Sequence, residues 1–129
     1  MEISVFLNNI KQDFIESCNL YHPKQIGNTI TIYKEGVDLP ELDEFQLAIL
    51  GVEEDRNSFD NTGSKDAPNA IRRALYQLFN HWNNVNIIDL GNIKTGFEIE
   101  DTYFALSNVF TTLMKYRIIP IILGGSQDL

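Results

Sequence analysis

Two runs in this chain are apolar almost without a break: Leu47-Ala48-Ile49-Leu50-Gly51-Val52 and Ile118-Ile119-Pro120-Ile121-Ile122-Leu123. Neither alternates, so each predicts a strand buried on both faces, in the interior of a parallel sheet covered by helices. Val85-Asn86-Ile87-Ile88-Asp89-Leu90-Gly91 predicts a further strand that closes on a glycine. Between the strands the period changes to a helical one. Ile71, Leu75, Leu78 and Phe79 predict the buried stripe of one helix, flanked by Arg72, Arg73 and Gln77. Pro68 suits its first turn, with Ser64 or Asp66 near enough to serve the free amides. Tyr103, Leu106, Phe110, Leu113 and Met114 predict the core stripe of a second helix, capped by Asp101 or Thr102. Strand, helix, strand, helix, strand specifies an α/β fold with parallel strands joined by crossovers, a βαβαβ core from about residue 46 to 129.

Residues 1–45 read as an extension of a single, incomplete domain. Leu7, Ile10, Phe14 and Cys18 fall at helical spacing, Thr29–Tyr33 alternates as an edge strand does, and Asp38–Asp43 looks like an acidic linker.

In such a unit the loops after each strand emerge on one edge of the sheet, where open α/β sheets place their ligands. Three loops converge there, 53–67, 91–101 and 124–128. The first is longer than a strand-to-helix loop needs to be. It carries Glu53, Glu54, Asp55, Arg56, Asp60 and Asn61, acids for cations and an arginine for carboxylates. A mobile polar flap would have the same composition.

Charge and composition narrow the partners. Ten Lys and Arg against 18 Asp and Glu give a formal net charge of -8, which excludes a nucleic-acid backbone or an anionic membrane as the main partner. The single cysteine, Cys18, cannot form an internal disulfide and reads as a small buried apolar residue. With no leader-like start and no long apolar segment, the expected location is the cytoplasm. His22 and His81 lie away from the strand-end edge, so neither a Ser/His/Asp arrangement nor an imidazole-rich metal site is supported. A nucleotide-binding module is the weakest alternative: Gly51 opens no G-x-G-x-x-G pattern, and no Lys-Ser/Thr follows Gly124-Gly125.

Taken in order, five stretches carry a family resemblance. They are Ile49-Leu50-Gly51-Val52-Glu53-Glu54-Asp55-Arg56 with Asn61-x-Gly63, Ala67-Pro68-x-Ala70-Ile71-Arg72-x-x-Leu75 with Ile88-Asp89-Leu90-Gly91-Asn92-Ile93, and Ile119-Pro120-Ile121-Ile122-Leu123-Gly124-Gly125. The set resembles the opening of the ureohydrolases, the arginase/agmatinase/formimidoylglutamase family, and is most similar to the formimidoylglutamase-like branch. The resemblance implies a three-layer α/β/α fold and two manganese ions at the strand ends. There a bridging hydroxide attacks the guanidino or formimino carbon of an amino-acid-like substrate. It points to Asp55, Arg56, Asn61 and Gly63 as substrate-binding residues.

Two departures matter. The family's G-G-D-H-S histidine, a metal ligand, falls on Gln127, with Ser126 in place of the preceding aspartate. A neutral amide is a much poorer ligand than imidazole. The family's later ligand segments have no counterpart up to Leu129, so no catalytic residue is assigned. The expectation is an N-terminal piece of a manganese-dependent hydrolase of linear amidine or guanidine C–N bonds, inactive as this chain. The alternative is a non-catalytic relative or assembly module. A strand as apolar as 118–123 left at a sheet edge also predicts self-association.

Overall fold

The computed structural model describes residues 2–34 and 36–129. Five strands, β1 Leu7–Asn8, β2 Thr31–Ile32, β3 Leu47–Val52, β4 Ile87–Ile93 and β5 Ile119–Leu123, form one sheet. β4, β3 and β5 lie side by side in that order and are parallel. The outer edge of β4 is covered in two pieces, β2 parallel along its first half and β1 antiparallel along its last residues. The helices are α1 Gln12–Ser17, α2 Ile26–Thr29, α3 Ala67–Leu75 and α4 Ile99–Lys115. The fold is therefore α/β with a mostly parallel sheet, as the hydrophobic pattern predicts.

Alternation along the strands sorts the core into two layers. Ala48, Leu50, Val52, Ile88, Leu90 and Ile93 face α4, which meets them with Ala105, Val109 and Leu113. Ile49, Ile87 and Leu123 face the other way, toward Leu75 of α3. The chain thus leaves β3 across one face and leaves β4 across the opposite one. Parts of the first 45 residues are built into this core as well: Ile3, Leu7, Leu42 and Phe45 all pack in the α4 layer.

Several local readings change. The first helix is only six residues long, and Leu7 belongs to a strand instead of its stripe. β4 does not stop at Gly91 but runs on to Ile93. The cap of α4 is Glu98, whose N–H donates to the Asp101 carboxylate at 3.0 Å. The buried face of α4 is Thr102, Ala105, Val109 and Leu113, which leaves Phe110 and Met114 exposed. The buried face of α3 is Pro68 and Arg72, continued by Tyr76, whereas Ile71, Leu78 and Phe79 are exposed. β5 is an edge strand here, and Ile119 and Ile121 on its α3 side are uncovered.

The inversion of α3 has a cause in β4. Between Ile49 and Gly51 the register with β4 slips from Asp89 to Asn92, so β4 carries one extra residue. Gly91 sits in that bulge at φ +80°, where a Cβ would come within 2.2 Å of the Asn8 carbonyl oxygen. An extra residue resets the alternation of a strand. Asp89 and Asn92, three apart, consequently face α3 together, and only a polar helix face can meet them.

Candidate functional site

The polar face that answers them is Arg72. Its Nε and Nη2 donate to the Asp89 carboxylate at 2.9 and 3.0 Å. Nη2 also donates to the Gly91 carbonyl at 2.7 Å, and Nη1 to the side-chain oxygens of Asn92 at 2.5 Å and Asn69 at 3.2 Å. All five guanidinium N–H groups are used. Asp89 in turn accepts from the Tyr76 hydroxyl at 2.7 Å and from the Gly91 N–H at 3.0 Å. Burial and the neighbouring Asp89 charge push the Tyr76 phenol far above its ordinary pKa, so it stays a donor. Arg72 and Asp89 are 1% and 0% exposed. Gly51 makes the space: a Cβ there would lie 1.9 Å from the Asn92 side-chain oxygen.

At the carboxyl ends of the strands the three predicted loops do meet. Glu54, the second residue after β3, is buried although acidic. Its carboxylate takes Arg56 Nε at 2.9 and 3.1 Å and Nη2 at 2.5 Å. The same guanidinium reaches across to the Phe97 and Gly96 carbonyls at 2.7 and 3.1 Å, tying the first loop to the second. The third loop rests on the Glu54 backbone, whose carbonyl accepts from the Ser126 N–H at 3.0 Å. Gly125 permits that approach, since a Cβ there would be 2.0 Å from the Glu54 carbonyl oxygen. Hydrogen bonds from Arg56 hold the Glu54 carboxyl below the usual carboxylate range, outweighing its desolvation. Beside it, the Asp128 carboxylate accepts from the Ser126 and Tyr103 hydroxyls, which lower its pKa, while Tyr103 also accepts from Asn57 at 3.1 Å.

The structure places the residues singled out for substrate as follows. Asp55 accepts from the N–H groups of Gly63 at 2.7 Å and Lys65 at 3.4 Å, fixing the turn before α3, with Gly63 at φ +101°. Arg56 is the clasp just described, and Asn61 is exposed between them. The four lie on one loop, with Asp55 and Gly63 in contact. Gln127 is exposed at the far end of the rim. Cys18 is buried against Gly27 and Tyr76, and burial pushes its thiol up, in keeping with an inert packing role. His22 lies against the Phe79 ring, centroids 5.3 Å apart, and His81 is exposed.

Sequence reasoning passed over Glu54 as a hub, and over Glu53, Asn69 and Asn92. The signal for Glu54 was present, an acid two residues past a fully apolar strand and two residues before an arginine. For the others the signal depended on the bulge, which no hydrophobic pattern reveals.

Manganese, implied by the resemblance, can be tested against these side chains. Among the described residues no group of three or more His, Cys, Asp or Glu is placed to hold a metal ion. The polar groups near Gln127 are already paired with one another. The residues present do not fit the metal pair. No helix among the described residues is long and apolar enough to cross a membrane.

Comparison with known proteins gives two findings. Residues 45–129 match the model of the arginase family. A formimidoylglutamase of Citrobacter koseri is 28% identical over 102 residues, which cover 76% of this chain and 33% of that protein. The chain thus spans about a third of the length of this curated relative. No solved structure matches significantly.

Proposed function

The chain belongs to the arginase family, and on that premise we propose that it forms the amino-terminal scaffold of a ureohydrolase-like enzyme acting on linear amidine or guanidine C–N bonds. The substrate we favour is a formimino or guanidino amino acid, in keeping with the similarity to a formimidoylglutamase. The observation that carries the reading is the rim. Glu54 gathers all three strand-end loops at the edge where such a sheet places its ligands. Loop 53–66, through Asp55, Arg56, Asn61 and Gly63, shapes one wall of that edge, and Arg56 holds the wall in place.

In this reading manganese chemistry belongs to a complete enzyme, and these residues alone turn over nothing. The test is hydrolysis of formiminoglutamate, agmatine and arginine with added manganese. No turnover is expected from residues 1–129. A chimera that joins them to the remaining two thirds of the Citrobacter koseri protein, with Gln127→His, should release product. Turnover by the isolated chain would refute the reading, as would a folded chimera that binds manganese and stays inert on all three substrates.

A second reading, a non-catalytic relative, is favoured by one feature: Ser126 and Asp128 satisfy each other and Tyr103, on either side of an exposed glutamine. Under it the chimera works only with Gln127→His and never with Gln127. Under either reading the bare edge of β5, with Ile119 and Ile121 uncovered, should pair with another copy of the chain. Sedimentation should show association that Ile121→Lys abolishes; a monomer at high concentration would contradict this.

A further inference from the structure

The buried network around Arg72 does not close on itself; it ends at Glu53. Each inner group has its hydrogen-bonding capacity spent, the guanidinium on five acceptors and Asp89 on four donors. Asn92 and Asn69 pass the chain outward through their amide nitrogens, to Glu53 Oε1 at 2.8 Å and Oε2 at 3.3 Å. There it stops. Each Glu53 oxygen has accepted one hydrogen bond where a carboxylate oxygen takes about two. No Lys, Arg or His among the described residues pairs with Glu53. With Asp89 neutralised by Arg72, Glu53 is the network's surplus charge.

Glu53, Asn69 and Asn92 lie in the wall of a cavity of about 1120 Å³. Arg73 and Gln77, four and eight residues beyond Asn69, continue one side, and Ile10 and Phe14 supply apolar surface on the other. It opens at the carboxyl ends of β3 and β4, Glu53 following β3 and Asn92 lying next to the last residue of β4. It lies on the β4 side of β3, whereas the Ser126 and Asp128 end of the rim follows β5 on the other side.

We propose that this crevice binds a small primary ammonium compound, its N–H donors filling the open acceptor positions of Glu53 and its carbon chain lying against Ile10 and Phe14. A primary ammonium fits because it supplies both the missing charge and several donors. A quaternary cation supplies only charge, and an alcohol only a donor.

The test follows the side-chain amide resonances of Asn69 and Asn92 in nitrogen-15 spectra of the 129-residue chain during titration with n-butylammonium. Tetramethylammonium and 1-butanol serve as controls for charge alone and chain alone. Saturable shifts are expected with n-butylammonium. They should be at least about tenfold weaker with either control and in Glu53→Gln, as loss of a charged hydrogen bond implies. Three results would overturn the site: equal response to a control, undiminished response in Glu53→Gln, or no saturable response to n-butylammonium. Should Glu53→Gln not fold, the three compounds on the unmodified chain decide alone.

Discussion

Two arginine–carboxylate pairs hold this molecule together, and they differ in nearly everything but chemistry. Arg72 and Asp89 are sealed between α3 and the sheet, 1% and 0% exposed, and bring together residues 17 positions apart. Arg56 and Glu54 are two residues apart at the rim, and Arg56 keeps 39% of its side-chain surface in water. A buried charge left alone is far more costly than an exposed one, because nothing replaces its hydration. The comparison therefore assigns architecture to the first pair and loop order to the second. Removing Arg72 should threaten the fold, whereas removing Arg56 should loosen the loops.

The sharpest way to break the contrast is Arg72→Met, which strands Asp89 and should cost about 3–5 kcal/mol in denaturant unfolding. Adding Asp89→Leu should recover part of that loss; a loss under about 1 kcal/mol for the single variant would put Arg72 in the surface class. Next in size is Gly125→Ala. Its methyl would press on the Glu54 carbonyl, and overpacking of this kind costs about 1–3 kcal/mol. Arg56→Ala should cost less than either, with a loss that shrinks as salt is added. Hydrogen exchange should quicken at residues 94–97 and 124–128 more than in β3.

The smallest effect is one of pH. Glu54 has a lowered pKa in the folded chain, so the unfolded chain binds more protons just below the ordinary carboxylate range. Its contribution is complete above that range and disappears as pH falls through the lowered folded value. Glu54→Gln and Arg56→Ala should each lower stability above the carboxylate range and flatten the acid limb of the profile, leaving its slope near neutrality unchanged.

The strands were legible because both faces of β3 and most of β5 are apolar, a pattern that needs no partner to be recognised. The meeting of three loops at one edge followed from the order of elements alone. The helix faces were not legible. Ile71, Leu78 and Phe79 carry the stronger hydrophobic signal, yet α3 buries Arg72, because the bulge at Gly91 turns Asp89 and Asn92 toward it. Hydrophobic periodicity counts transfer free energy, and here an ionic network outweighs it. The place of β5 was equally hidden, since a strand apolar on both faces looks the same in the middle of a sheet as at its edge. Among the site residues to which the resemblance points, Asp55 and Arg56 have their charge turned onto the chain's own groups, the N–H of Gly63 and Lys65 and the Glu54 carboxylate.

These residues build the scaffold and rim of an arginase-family sheet, and no metal-holding set of His, Cys, Asp or Glu is found among the described ones. Isothermal titration of the 129-residue chain with manganese tests it most directly. No tight uptake is expected by the unmodified chain and none by Gln127→His, since a single imidazole does not make a site. Stoichiometric, tight binding by the unmodified chain would contradict it.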